Sequence, residues 1–309
     1  MQESVYTIGI DKFFRAYYVW PNFPSISMSG GRCSLRCKHC NHTYLHNMLY
    51  ATRPEQLLRT CKKFTENGAI GFLLSGGCNK KGEMLNLRKL LPVIKKIKRE
   101  TNLIIKLHTG LVNQDLAESI VDAGIDIASV EVVGSNKTIK NIFNFDATTE
   151  AYAETLANLQ SAGMPFIVPH ICIGLHYGRL NGEFNALRMI KENCDPSSLV
   201  MIVFRPTPGT PLEHTVAPHP NDVSTTIKKA KKLFPTKDIA LGCIRPRTKH
   251  LREKIELAAL QAGVTRMEIP SKNTLEEARK MGYTIKRIEA CCALPKELEK
   301  TLTNKKMSK

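Results

Sequence analysis

Three thiols fall within eight residues in Cys33-Ser-Leu-Arg-Cys37-Lys-His-Cys40. Thiolates are the usual ligands of iron–sulfur clusters, and three on one short loop hold three corners of a cubane. The fourth iron then has no ligand from the loop, which is what a cluster needs to bind and reduce a substrate. Other chemistries compete for the same residues. A structural zinc ion takes four ligands, and His39 or His42 would supply the fourth. A bacterial ferredoxin loop spaces its cysteines two apart throughout, whereas the first gap here is three. Disulfides need an oxidising compartment and an even pairing.

The C-x-x-x-C-x-x-C spacing, with His39 before the last cysteine and Phe23-Pro-Ser-Ile-Ser-Met-Ser-Gly30 ahead of it, resembles the signature of the radical S-adenosylmethionine (radical SAM) superfamily. The resemblance implies that Cys33, Cys37 and Cys40 hold a [4Fe–4S] cluster whose open iron chelates S-adenosylmethionine. Reduction then cleaves that cofactor to a 5′-deoxyadenosyl radical, which abstracts a hydrogen from an unactivated carbon. An electron donor such as ferredoxin is implied as a partner. The family uses a Gly-Gly-Glu turn to bind the cofactor's amino group. Ser75-Gly76-Gly77 stands in that place, with Cys78 where glutamate is common. Glycines there let backbone carbonyls approach a ligand closely. Glu131, a charge in the apolar strand Ser129-Val-Glu-Val-Val, is a candidate for the ribose hydroxyls; its competing reading is a partner for Arg179 or Arg205. Arg205 is a candidate for the cofactor carboxylate. Gly174 with Ile173, and Val203 with Phe204, are candidates for the adenine pocket. His39 completes the cofactor set.

The elements that must position these residues alternate along the chain. Apolar runs at 71–74, 103–107, 125–133, 166–173, 199–204, 238–242 and 266–269 read as strands. Between them lie helical stretches closed by Gly68, Gly124, Gly163, Gly263 and Gly282. Counting from Phe23, eight strand–helix units predict an α/β fold: a parallel (β/α)8 TIM-type barrel of the radical SAM kind. One barrel domain is expected over 1–309, with its core at about 20–282 and a short cysteine-bearing C-terminal extension at about 283–309. Chemistry in such barrels sits in the loops after the strands. The cysteine loop, Ser75–Cys78, His108, Glu131, His170, Cys172, Arg205, Cys243 and Arg245 all fall there.

From Leu103 to Leu212 the chain resembles the biotin synthase branch, on Asp122-Ala-Gly-Ile-Asp-Ile127, Leu159-Gln-Ser-Ala-Gly-Met-Pro165 and Pro208-Gly-Thr-Pro-Leu212. That family draws sulfur from a second cluster held by cysteines inside its strands and an arginine. The matching stretches here, Ile105-Lys-Leu-His108 and Ile167-Val-Pro-His170, carry no cysteine, so a biotin-type [2Fe–2S] site is not expected. Seven other cysteines remain. Cys61 and Cys194 read as small buried apolar residues in helices. Cys78, Cys243, Cys291 and Cys292 are candidates for a second [4Fe–4S] cluster, provided the C-terminal segment folds back over a barrel mouth. With such an extension and a basic surface, the chain resembles one component of the two-protein, archaeal-type lipoyl synthase. That resemblance implies sulfur insertion into an octanoyl chain on an acidic lipoyl carrier protein, with a second radical SAM protein as partner.

Composition limits the alternatives. The formal net charge is +17 over 309 residues, with lysine runs at 95–99, 228–232 and 305–309. Each run reads as a solvated face, and their sum attracts an acidic partner. An RNA-binding iron–sulfur protein is favoured by charge alone, since aromatics are 6% and no recognition motif is present. No apolar run spans a membrane, and Met1-Gln-Glu-Ser opens no signal peptide. Ten cysteines without one lead to the expectation of a reducing cytoplasm. The remaining enzyme alternative is a biotin synthase-like, cofactor-maturation or methyl-transfer radical enzyme without sulfur donation.

Overall fold

The structure is a computed structural model that describes residues 12–300 except Asn144. The opening Met1–Ser4 and the lysines at 305, 306 and 309 lie outside the described residues. All eight expected strands form: β2 (Ser25–Ser27), β4 (Gly71–Ser75), β5 (Ile104–His108), β6 (Ile127–Glu131), β7 (Phe166–Ile173), β8 (Ser198–Val203), β9 (Asp238–Leu241) and β10 (Arg266–Glu268). So do the eight helices: α1 (Pro54–Glu66), α2 (Leu87–Glu100), α3 (Gln114–Asp122), α5 (Thr149–Ser161), α6 (Glu183–Asn193), α7 (Pro220–Leu233), α8 (Lys249–Gln261) and α9 (Lys272–Lys280). A one-turn helix α4 (Asn136–Thr138) runs into a π-helical turn at Ile139–Phe143.

Local sequence explains the boundaries. Pro54 opens α1, where its missing N–H costs nothing, and the Thr52 N–H and hydroxyl just before it both donate to Gln56 Oε1. The Asn113 side chain accepts from the Leu116 N–H and so caps α3. The lysine runs at 95–99 and 228–232 lie on α2 and α7. There Ile94, Ile97, Ile227 and Ala230 are buried and most of the lysines are exposed, as solvated helix faces should be.

Closure differs from the expected barrel. Three further strands, β1 (Phe13–Tyr17), β3 (Leu49–Tyr50) and β11 (Thr284–Ile288), extend the sheet at both edges. The sheet has eleven parallel strands in the order β11-β1-β10-β9-β8-β7-β6-β5-β4-β2-β3. Among the described residues no ladder joins β3 to β11, so the sheet curls without closing. The two edges meet through side chains instead: Asn22 donates to Glu289 at 2.8 Å. Phe23 and Ile288 share one buried cluster.

Side chains two apart on a strand share a face. Ile104, Ile127, Val168, Val200 and Ala240 therefore form an inner apolar tier at the strand starts, and they do pack together. Two residues on, Lys106, Ser129, His170 and Ile202 point inward. His108, Glu131, Cys172 and Phe204 follow at the strand ends. The segment Ala290–Leu294 fills the hollow at the apolar tier. It thus enters from the end opposite the strand-end loops.

Candidate active site

A cavity of about 300 Å³ opens at the strand ends, its rim formed by Cys33, His39, Cys40 and Cys78. Cys33, Cys37 and Cys40 lie on the loop after β2. Cys37 is buried, and its Sγ lies within 4.8 Å of both Cys40 Sγ and a ring nitrogen of His39. Cys33 stands outside that group. The Cys78 N–H donates to its Sγ at 3.3 Å. Gly77 is what lets the two loops meet: a Cβ there would sit 2.2 Å from the Arg32 carbonyl and 2.4 Å from Cys33 Cβ. The hydroxyl of Ser29 accepts from the Gly77 N–H at 2.7 Å and fixes the turn.

The charges at this rim are set by one another. The Cys37 S–H donates to Cys40 and lowers the Cys40 thiol to about 4, with His39 adding to the shift. Cys37 is raised by giving that bond and by burial. Burial opposes a charged His39, but the Cys40 thiolate and Glu131 outweigh it and raise its pKa. Its Nδ1 is buried with no hydrogen-bond partner, and its ring packs edge-on against Phe143 at 5.1 Å. Cys40 as a ready thiolate, Cys37 close beside it and Cys33 on the same loop offer the three thiols that the cradle of an iron–sulfur cluster needs.

Below the rim, Ser75 Oγ is hydrogen-bonded to His108 Nδ1 at 3.2 Å. His108 and His170 pack edge to face at 5.6 Å in the cavity floor. Burial and the Lys106 ammonium lower His108 to about 3 and His170 well below its ordinary range, so both rings are neutral. His170 Nδ1–H donates to the Val168 carbonyl at 2.9 Å, which leaves Nε2 as an acceptor. Glu131 lines the cavity, its carboxyl raised by burial. It makes no ion pair with Arg179 or Arg205. Arg205 also lines the cavity, its guanidinium 5.3 Å from the Tyr44 ring centre.

Two expectations are corrected. Gly174 does not line the cavity: its N–H donates to Glu183 and a Cβ there would strike Pro218, so it serves the turn after β7. Cys78 does not join Cys291 and Cys292, because it belongs to the strand-end rim and they lie at the other end of the hollow. The C-terminal segment therefore closes the strand-start mouth, away from the cysteine loop. There a second donor set appears, with Glu268, Cys291 and Cys292 within 4.8 Å of one another. Lys106 Nζ donates to Cys291 Sγ at 3.4 Å. The Cys292 S–H and Lys106 hold the Cys291 thiol well below its ordinary value, while burial pushes Glu268 to about 7. Cys243 follows β9 in an exposed position and is not one of these three donors. Sequence reasoning passed over Lys106 and Glu268. The signal was a charge at an inward position of a short apolar strand, as for Glu131.

A thiol-rimmed cavity over the strand ends of a curled parallel sheet defines an α/β-barrel class of enzyme that works through an iron–sulfur cluster. Residues 28–179 match the Radical SAM superfamily, and the chain is similar to biotin synthases within it. It is a radical SAM enzyme whose cofactors are a [4Fe–4S] cluster and S-adenosylmethionine. Biotin synthase of Geotalea daltonii is 27% identical over 241 residues, 74% of this chain and 69% of that protein. The [FeFe]-hydrogenase maturase HydG shares the fold at a TM-score of 0.62 and 12% identity, over 89% of this chain and 64% of HydG. Methylornithine synthase PylB does so at 0.57 and 15% identity, over 91% of this chain and 85% of PylB. Among the described residues no helix is long and apolar enough to cross a membrane.

Proposed function

We propose that this enzyme inserts sulfur into an octanoyl chain on a lipoyl carrier protein, as one component of a lipoyl synthase. The observation that carries the reading is the cavity: a thiol rim stands over walls of Leu45, Met48, Met84, Leu111 and Phe145, which suit an alkyl chain. The biotin synthase relatives support sulfur chemistry. The charge of +17 suits an acidic carrier. A second radical SAM protein and a ferredoxin-like donor complete the set of partners, in the cytoplasm.

With the cluster and S-adenosylmethionine bound, the pair supplies a radical that takes a hydrogen atom from an unactivated carbon. The chain's own residues position that chemistry. The carbonyls of Ser75–Gly77 receive the cofactor's amino group, Arg205 its carboxylate and Glu131 its ribose hydroxyls. The apolar walls exclude water. His108 and His170 close the floor, both lowered by burial and the Lys106 ammonium toward the neutral imidazole.

That imidazole pair favours one second reading, a substrate with polar atoms at its deep end, as in a biotin synthase-like or cofactor-maturation reaction without sulfur donation. The deciding experiment supplies the anaerobically reconstituted chain with S-adenosylmethionine, a reductant and an octanoyl-lysyl peptide. A peptide product heavier by sulfur is expected. Cofactor cleavage without a sulfur-bearing peptide, even with a second radical SAM protein added, overturns the lipoyl reading in favour of the second.

A further inference from the structure

Cys78 lies half-buried at the rim, at the position where related enzymes commonly carry glutamate. Its backbone is fastened to the cysteine loop on both sides. The N–H donates to Cys33 Sγ at 3.3 Å, and the carbonyl accepts from the Ser34 N–H at 2.7 Å. The missing side chain at Gly77 is what permits that approach. Three bonds separate a cysteine nitrogen from its own Sγ, so the sulfurs of Cys33 and Cys78 lie within about 7 Å of each other. Thiolates on one cubane stand at separations of that order, wider than the ligands of a single ion, because each binds a different iron. The Cys78 side chain lines the same cavity as Cys33, Cys40 and His39.

Ligand chemistry gives this placement a use. The three thiols of the loop satisfy three irons of a [4Fe–4S] cluster and leave the fourth to S-adenosylmethionine. Until that cofactor arrives, the fourth iron faces a cavity open to water. Four thiolates are the complete protein set for such a cluster, and soft thiolates suit its irons better than water or carboxylate does. Elsewhere in the glycine turn, Ser75 is bonded to His108, and Gly76 and Gly77 bring no side chain. The turn that receives the cofactor's amino group thus also carries a thiol able to stand in for it.

We infer that Cys78 is a reversible fourth ligand of the cysteine-loop cluster: its thiolate closes the open iron in the resting enzyme, and S-adenosylmethionine displaces it. The exchange is a ligand substitution with no change of oxidation state. The Cys78 thiol gives up its proton when the S–Fe bond forms. It takes a proton back when the cofactor's amino and carboxylate groups bind that iron and the S–Fe bond breaks. The resting cluster is thereby kept whole between turnovers, and the competition weakens the apparent hold on the cofactor. This role is independent of which substrate the enzyme takes.

The test uses full-length protein reconstituted anaerobically, with no reductant added. Iodoacetamide labelling of wild type is read at Cys78 by mass spectrometry. It should be slow without S-adenosylmethionine and faster by about 10-fold or more at saturating cofactor, since only the released thiol reacts. Equal labelling in the two states, or slower labelling with the cofactor, overturns the proposal. Oxidation by ferricyanide without the cofactor gives a second readout. Wild type should keep its iron, as should Cys172→Ala, the control for another thiol that lines the cavity. Cys78→Ala should lose about one iron per chain and show the electron paramagnetic resonance signal of a three-iron cluster. Equal loss in wild type and Cys78→Ala, or loss in Cys172→Ala alone, also overturns the proposal. If Cys78→Ala fails to fold, the labelling of wild type decides by itself.

Discussion

Lys106 and Cys291 are separated by 185 residues, yet Nζ lies 3.4 Å from Sγ in the buried heart of the sheet. Removing one partner of such a pair leaves the other charge buried and unpaired, at a cost of about 3–5 kcal/mol. Lys106→Met should lower the thermal midpoint of the metal-free protein accordingly. Adding Cys291→Ala/Cys292→Ala to that variant should recover part of the loss. A double-mutant cycle by urea unfolding measures the coupling, and strict additivity would show that the pair contributes nothing.

Gly77→Ala tests the contact between the glycine turn and the cysteine loop. The added methyl collides with backbone at Arg32 and with Cys33, so the loop must move by about an ångström. Displacements of that size cost about 100-fold in rate. Reductive cleavage of S-adenosylmethionine should fall by about that factor, while the urea midpoint stays within roughly 1 kcal/mol of wild type, since the turn is at the rim. An unaltered cleavage rate would remove the glycine from the cofactor site.

Glu131→Gln keeps shape and removes charge. Hydrogen bonds to charged groups contribute about 1.5–3 kcal/mol. The KM for S-adenosylmethionine should therefore rise about 10- to 100-fold, with a smaller change in kcat. A steady-state assay of 5′-deoxyadenosine release reads this directly. A KM that does not move would assign Glu131 to the electrostatics of His39 and Cys40 alone.

The two floor histidines predict a pH dependence. Their folded pKa values are depressed, to about 3 for His108, so the unfolded chain binds more protons below about 6.5. Their contribution to stability is complete above pH 6.5 and is lost as the pH falls toward 3. Glu268, raised to about 7, acts in the opposite sense between its unfolded value and pH 7. The readout is therefore a difference: the fall in urea midpoint from pH 7.5 to 5.5 should be smaller in His108→Gln/His170→Gln than in wild type. Equal slopes would mean that the imidazoles are charged or solvated in the folded protein.

Much of this was legible in the sequence. Strands and helices alternate with glycine stops, and all eight units stand where periodicity placed them. The cysteine spacing located the rim without any knowledge of the fold. What escaped notice depends on long-range geometry. Phe13–Tyr17 precedes the counted units, and Thr284–Ile288 carries exposed Lys286 and Arg287, so neither reads as part of a buried sheet. They form or flank the edges of a sheet that curls without a closing ladder among the described residues. Nothing local in the sequence tells Cys78 apart from Cys291 as a cluster ligand, and only the path of the C-terminal segment separates them by the depth of the hollow. Lys106 was visible as a charge among apolar neighbours, but its partner lies far along the chain.

The clamp on the plug has a consequence for how the molecule is made. Arg266 binds the Leu294 carbonyl and the Glu299 carboxylate, which also takes the Tyr17 hydroxyl. One of the first described strands and the last described segment are thus held by the same side chain. During synthesis the cysteine loop emerges about 250 residues ahead of Cys291 and Cys292. The segment that fills the far end of the hollow follows only after that interval. The rim thiols are therefore made long before the plug that shuts the opposite mouth of the sheet.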